Sequence, residues 1–274
     1  MLGAIIGDIV GSAYEFNNIK TTDFQLFTPR NKYTDDSIMT VAVANWLLMD
    51  PSHGMDTLEA SMVNFAQKHP SPMGGYGGLF LRWLFGTEGK REPYNSWGNG
   101  SAMRVSAVGW AFDTLQETEH VANLSATITH NHPEGIKGAQ ATAATIFMAR
   151  NGSNKDEIKE YILNRYGYDL NRTCDEIRPT YGWESSCQGT VPEAIVAFLD
   201  STDFESAIRL AVSLGGDSDT LACITGGIAE AYYKDIPEHI YQEVWYFLPK
   251  DLKEVLKEFG KRFIAPYIYC GYAD

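Results

Sequence analysis

Cysteine is scarce: Cys174, Cys187, Cys223 and Cys270 are the four in 274 residues, with no CxxC pair and no compact spacing. That excludes a disulfide-stapled scaffold and a cysteine zinc site, and predicts reduced, structural thiols. No apolar run approaches the roughly 20 residues a membrane span requires. The opening MLGAIIGDIVGS has no basic start and is interrupted by Asp8, so it fails as a secretory signal. Positive charge is also short, at 22 Lys and Arg against 35 Asp and Glu, for a net charge of −13. No basic cluster exceeds the pairs Lys90, Arg91 and Lys261, Arg262. Nucleic acid and anionic membrane are therefore poor partners, and a cytoplasmic, monomeric protein is expected. Phosphate loops of the GxxxxGK[ST] kind, GxSxG elbows, GxGxxG fingerprints and HExxH pairs are all missing, which weakens kinase, esterase, dehydrogenase and zinc-protease readings. Neither a 20–50-residue repeat nor evenly spaced alternating segments occur, so neither a solenoid nor a large β-sheet is expected.

What is present is helical periodicity. With 44% hydrophobic residues the chain can bury a sizeable core. Apolar residues recur at three and four over 37–49, 56–69, 120–130, 135–150 and 203–214, predicting helices in an all-α fold of one domain spanning 1–274. Residues 167–192 are the least periodic and predict an irregular flap. A first helix is expected over roughly 3–16, with Gly3, Gly7 and Gly11 forming a stripe along which another backbone can approach closely. Asp8 and Glu15, seven apart, would share a face of that helix and look toward a polar site.

Two acidic clusters open helices: TDDS at 34–37 and DSDT at 217–220. Each has a structural explanation, because Thr, Asp and Ser are favoured N-caps and carboxylates suit a helix N-terminus. Yet one cap uses one side chain, while Asp35 stands beside Asp36, and Asp217 and Asp219 flank a small Ser218. The helices that follow are apolar nearly all round, which implies burial of their acidic starts. Buried carboxylates held together need a cation, and oxygen donors without Cys or His point to a hard one rather than to zinc. An EF-hand is excluded, since Leu221 and Ile228 fall at its fifth and twelfth loop positions. With Glu15, the four aspartates carry enough charge to balance two divalent ions.

NSWGNGSAMR (95–104) reads either as a turn with a helix cap or as a backbone cradle for a pyrophosphate, with Trp97 as a stacking face. His130 and His132 in THNHPEG either cap the next helix or orient a sugar hydroxyl.

Taken together, GAIIGDIVGSAYEF (3–16), TDDSIMT (34–40), GNGSAMR (98–104), THNHPEGIKGAQATA (129–143) and SLGGDSDTLACITGGIAEAYY (213–233) resemble the ADP-ribosylglycohydrolase family, and in that family's order. The resemblance implies an orthogonal helical bundle with a two-magnesium centre in a central cleft, where Mn²⁺ can substitute. It implies Thr34, Asp35, Asp36, Asp217, Asp219 and Thr220 as metal ligands, and Asp36 or Glu15 as the catalytic carboxylate. Ser96, Trp97, Asn99, Gly100, Ser101 and His130 are the implied substrate-binding residues. The implied reaction is hydrolysis of the bond between ADP-ribose and a protein or small-molecule acceptor, arginine first, with serine-linked ADP-ribose or O-acetyl-ADP-ribose next. Two rivals share parts of this pattern: a catalytically silent ADP-ribose-binding or crystallin-like protein, and a metal-dependent phosphoesterase acting on the pyrophosphate.

Overall fold

The computed structural model describes residues 1–86 and 89–265, so Cys270 lies outside the described residues. Helices form almost everywhere that the periodicity predicts them. In order they are α1 (Leu2–Ser12), α2 (Asp35–Met49), α3 (Met55–Lys68), α4 (Gly78–Phe85), α5 (Gly100–Met103), α6 (Val108–Ala111), α7 (Leu115–Thr127), α8 (Pro133–Arg150), α9 (Lys155–Tyr166), α10 (Cys174–Ile177), α11 (Cys187–Asp200), α12 (Phe204–Ser213), α13 (Ser218–Tyr233), α14 (Glu238–Phe247) and α15 (Lys250–Phe259). A π-helical turn, Gly260–Ile264, follows. No strand forms among the described residues, where β-type pairing amounts to the isolated bridges Thr34–Met73 and Gly98–Ser186. The all-α expectation holds, and no helix of the described residues is long and apolar enough to cross a membrane.

The helices expected at 37–49, 56–69, 135–150 and 203–214 form within two residues of those bounds. α7 begins earlier than its periodicity suggests because Thr114 accepts a hydrogen bond from the Glu117 amide and caps it. The first helix departs more. It closes at Ser12 rather than running to 16, and Asn18 then ties the turn, its Nδ2 donating to the carbonyls of Tyr14, Glu15 and Gly216. Glu15 therefore sits beyond the helix, aimed by that turn and not by the helix face it was expected to share with Asp8. The segment 167–186 contains one short helix, α10, and is otherwise irregular, as its lack of period predicts.

α1 and α13 are the centre of the molecule. Every residue of α1 is buried, and α13 is buried from Ser218 to Ala231. The glycine stripe explains how they meet. A Cβ added at Gly3 would lie 2.2 Å from the Gly226 carbonyl oxygen, at Gly7 1.9 Å from that of Ala222, and at Gly11 2.4 Å from that of Ser218. The two helices thus run antiparallel in close backbone contact, a separation that only glycine permits on the α1 side. Around α13 pack α8, α11 and α12; α2 lies on α3 and α15, and α7 on α8. The antiparallel register sets the end of α1, and with it Glu15, beside the start of α13 with Asp217 and Asp219.

Candidate metal centre and ligand cleft

The capping alternative can be decided atom by atom. At α2 the cap is Thr34, whose hydroxyl accepts from the Asp36 amide at 3.2 Å. Thr34 is itself held by Asp8, which accepts from the Thr34 amide at 3.0 Å and from its hydroxyl at 2.8 Å. Asp8 also accepts from the amide and hydroxyl of Ser37. This fully buried carboxylate clamps the first turn of α2 from α1, leaving Asp35 and Asp36 free of capping. At α13 the N-cap position is Asp217, which makes no side-chain cap bond. Its Oδ2 accepts from Asn99 Nδ2 at 2.8 Å instead. Asp219 Oδ1 accepts from the Thr220 amide at 3.0 Å, and the Thr220 hydroxyl lies 3.4 Å from Asp36 Oδ2 as its donor, joining the two acidic clusters.

Glu15, Asp217 and Asp219 each offer a carboxylate oxygen, all within 4.8 Å of one another. Asp35 and Asp36 line the same cleft, which encloses about 370 Å³, within the range of small-molecule sites. Burial, followed by the charges of Asp217 and Asp8, pushes Glu15 up to about 7. Burial likewise lifts Asp8 to about 6 in spite of its hydrogen bonds, and raises Asp35, Asp36 and Asp219 well above the usual carboxylate range, with neighbouring carboxylates adding to it. Two oxygens in this group, Glu15 Oε2 and Asp36 Oδ1, are buried without any hydrogen-bond partner. Orphaned, mutually repelling carboxylate oxygens are what a hard divalent cation satisfies. The donor set fits such an ion.

The opposite wall is built from the loop before α5. Gly98 N donates to Ser96 Oγ at 3.1 Å, Asn99 N to the Ser185 carbonyl at 2.8 Å, and Cys187 N to the Trp97 carbonyl at 2.8 Å. The last two bonds fasten 96–99 to the irregular 167–186 segment and to the start of α11. With Asn95 N donating to Asn131 Oδ1 at 2.7 Å as well, three of the loop's amides are occupied, which narrows a backbone cradle for an anion to the remaining ones. Ser96, Asn99, Gly100 and His130 line the cleft together with Trp183, which stacks on Phe16 with centroids 6.2 Å apart. Burial, then the positive charge of Arg104, holds the His130 imidazole well below the ordinary histidine range. His132 accepts from the Glu134 amide and caps α8.

The proposed site residues therefore divide. Glu15, Asp35, Asp36, Asp217, Asp219, Thr220, Ser96, Asn99, Gly100 and His130 surround one cleft. Thr34 is fully buried behind it as a cap. Ser101 is also fully buried, its hydroxyl donating to the Gly135 carbonyl at 2.7 Å, away from the cleft lining. Trp97, 52% exposed, stands outside the lining against His132. The sequence reading missed three contributors. Gly74, at φ +75, admits Glu15 Oε2 to 3.1 Å of where its Cβ would be. Tyr94 and Arg104 line the cleft as well; the Arg104 charge inside GNGSAMR was the available signal. Cys174, Cys187 and Cys223 are buried and unpaired, and burial lifts the Cys187 thiol to about 12, as structural thiols require.

A family model described as ADP-ribosylglycohydrolase matches residues 1–268. Among curated proteins, ADP-ribosylhydrolase ARH3 of Homo sapiens is 28% identical over 87% of this chain and 86% of its own length. ADP-ribosylarginine hydrolase Tri1 of Pseudomonas putida (strain GB-1) is 25% identical over 85% of this chain and 69% of its own. A solved structure titled ADP-ribosylglycohydrolase-related protein complex superposes with a TM-score of 0.68 at 24% identity, covering 88% of this chain and 89% of that one, and shares the fold.

Proposed function

Since the chain belongs to the ADP-ribosylglycohydrolase family, we propose that it is a magnesium-dependent hydrolase that releases ADP-ribose from an acceptor, with arginine-linked ADP-ribose as the favoured substrate. Carboxylates from the two ends of the chain, Glu15, Asp217 and Asp219, gather within 4.8 Å beside Asp35 and Asp36, and this convergence carries the reading. None of these five is used as a helix cap.

Asp35, Asp36, Asp217, Asp219 and Thr220 would hold the cations, with Thr34 fixing the turn that presents Asp35 and Asp36. A bound hard cation supplies Lewis acidity that acidifies water and polarises ribose hydroxyls. The protein's own part is binding and proton transfer. Asn99 Nδ2, donating to Asp217, keeps that carboxylate turned toward the cleft. Ser96, Gly100 and His130 receive the pyrophosphate and riboses, so that the anomeric carbon of the distal ribose lies over the acidic group. As the bond to the acceptor breaks, positive charge develops at that carbon, and the surrounding carboxylates stabilise it. Glu15, pushed up toward neutrality and with an unpartnered Oε2, takes a proton from the attacking water. Asp36, with its own free Oδ1, is the second candidate base. The excess of carboxylates around the cleft also complements a cationic acceptor, and a relative bears the name ADP-ribosylarginine hydrolase.

Incubation with peptides carrying ADP-ribosyl-arginine or ADP-ribosyl-serine tests this. Release of ADP-ribose from the arginine peptide, abolished by EDTA, is the expected result. AMP as product would replace the glycohydrolase with a phosphoesterase. Cleavage of the serine peptide alone would reassign the acceptor.

A further inference from the structure

Arg104 is 1% exposed, lines the cleft and has no carboxylate within ion-pair distance among the described residues. A buried guanidinium without a counter-ion is costly and calls for a reason. Its Nη2 donates to the Ser125 carbonyl at 2.7 Å and to the Thr129 hydroxyl oxygen at 2.8 Å, and its Nε has no partner. The Thr129 hydroxyl also lies 2.7 Å from His130 Nδ1. Guanidinium has no acceptor capacity, so Thr129 Oγ1 must accept from Arg104 and is left with a single proton to give. Thr129 is fully buried, and among the described residues His130 Nδ1 is the acceptor that its hydroxyl meets in hydrogen-bonding geometry. The proton of Thr129 then goes to His130 Nδ1. An imidazole that accepts at Nδ1 carries its own proton on Nε2.

His130 Nε2 has no partner within the protein among the described residues. A Cβ added at Gly100 would lie 3.2 Å from it and one at Gly98 3.5 Å, so glycines keep the space before this atom clear. We propose that Arg104 is a positioning residue which, through the Thr129 hydroxyl, locks His130 as the Nε2–H tautomer and so presents a neutral donor to a phosphate oxygen of the ligand. This deepens the ADP-ribose reading and, for the identity of the oxygen, rests on it. The tautomer itself does not. Burial and the Arg104 charge both oppose a second proton on the ring, which keeps the donor neutral.

The test uses the full chain with ¹⁵N-labelled histidine and long-range ¹H–¹⁵N correlation, His130 being assigned by comparison with His130→Gln. Wild type should show the Nε2–H pattern at neutral pH. Thr129→Val should lose that single pattern while its far-ultraviolet circular dichroism stays native, and Thr129→Ser should restore it. Arg104→Lys, which retains a buried cation donor, should keep more of the pattern than Arg104→Met; if Arg104→Met does not fold, the Thr129 pair still decides the matter. Affinity for ADP-ribose by calorimetry should fall about five- to tenfold in Thr129→Val, the loss of one hydrogen bond, and recover in Thr129→Ser. A wild-type His130 with its proton on Nδ1, or a Thr129→Val protein with unchanged tautomer and affinity, would overturn the proposal. Failure of wild type to bind ADP-ribose at all would instead remove the functional reading, with the tautomer still judged by the spectra.

Discussion

Replacing Asp219 by Asn tests whether the acidic group was gathered for a cation. Asp219 is 3% exposed, and Asp217, Asp36 and Glu15 all raise its proton affinity on top of burial. Asn preserves its shape and can keep Oδ1 as acceptor for the Thr220 amide, so the change removes charge and little else. In EDTA at neutral pH the variant should melt at the same temperature as wild type or higher. The gain should be about 1 kcal/mol, the scale of a stabilising single substitution. The sign follows from linkage. Carboxylates whose pKa is raised on folding stabilise at low pH, and that contribution is lost as pH climbs from the unfolded value toward the folded one, about 7 for Glu15. Metal-free wild type should therefore lose stability between roughly pH 4.5 and 7, and Asp219→Asn should lose less. Saturating Mg²⁺ should reverse the order. At a hundredfold excess over Kd the ion adds about 2.7 kcal/mol to wild type, or roughly 5–10 °C in a chain of this size, and less to a variant with one ligand fewer. Differential scanning calorimetry of both proteins in EDTA and in Mg²⁺, over that pH range, is the assay. Identical shifts in the two buffers would refute a shared cation site and the mechanism built on it.

Three further outcomes are expected. Activity removed by EDTA should return with Mg²⁺ or Mn²⁺ and not with Zn²⁺, because the ligands are hard oxygens; full turnover in metal-free buffer would contradict this. Trp97→Ala should leave the calorimetric Kd for ADP-ribose within about twofold of wild type with the fold intact, because this exposed indole packs on His132 outside the cleft lining, and a loss of about 1 kcal/mol would instead place it against the ligand. Gly7→Ala should destabilise the protein by about 1–3 kcal/mol, because its Cβ would sit 1.9 Å from the Ala222 carbonyl oxygen and backbone, not a flexible side chain, must move; a melting temperature equal to wild type would contradict the close α1–α13 contact.

Helix positions and the two acidic clusters were legible in the sequence because both are local patterns: apolar spacing reports a buried face, and adjacent carboxylates exceed what a cap can use. The partition of roles was not. Nothing local in TDDS says that Thr34 is the cap, since that depends on Asp8 arriving from another helix to hold it. The end of α1 was placed too late because Asn18 closes the turn through a bond to Gly216, a partner 198 residues away. Arg104 escaped for a related reason. Its importance lies in which hydroxyl it reaches, and helix periodicity carries no information about hydroxyl protons.

The antiparallel contact of α1 with α13 also bears on how the protein folds. Gly11 and Ser218 touch across 207 residues of sequence, Ser218 Oγ donating to the Gly11 carbonyl at 3.0 Å. Closing so long a loop is entropically slow, and contacts of high sequence separation form late. Glu15 and the Asp217–Asp219 pair hang on that closure, so the unfinished chain has no assembled acidic site for a cation to nucleate. A cation that binds after the rate-limiting step slows unfolding and leaves the folding rate alone. A bound cation would then mark the completed protein, holding together carboxylates from distant parts of the chain that would otherwise repel.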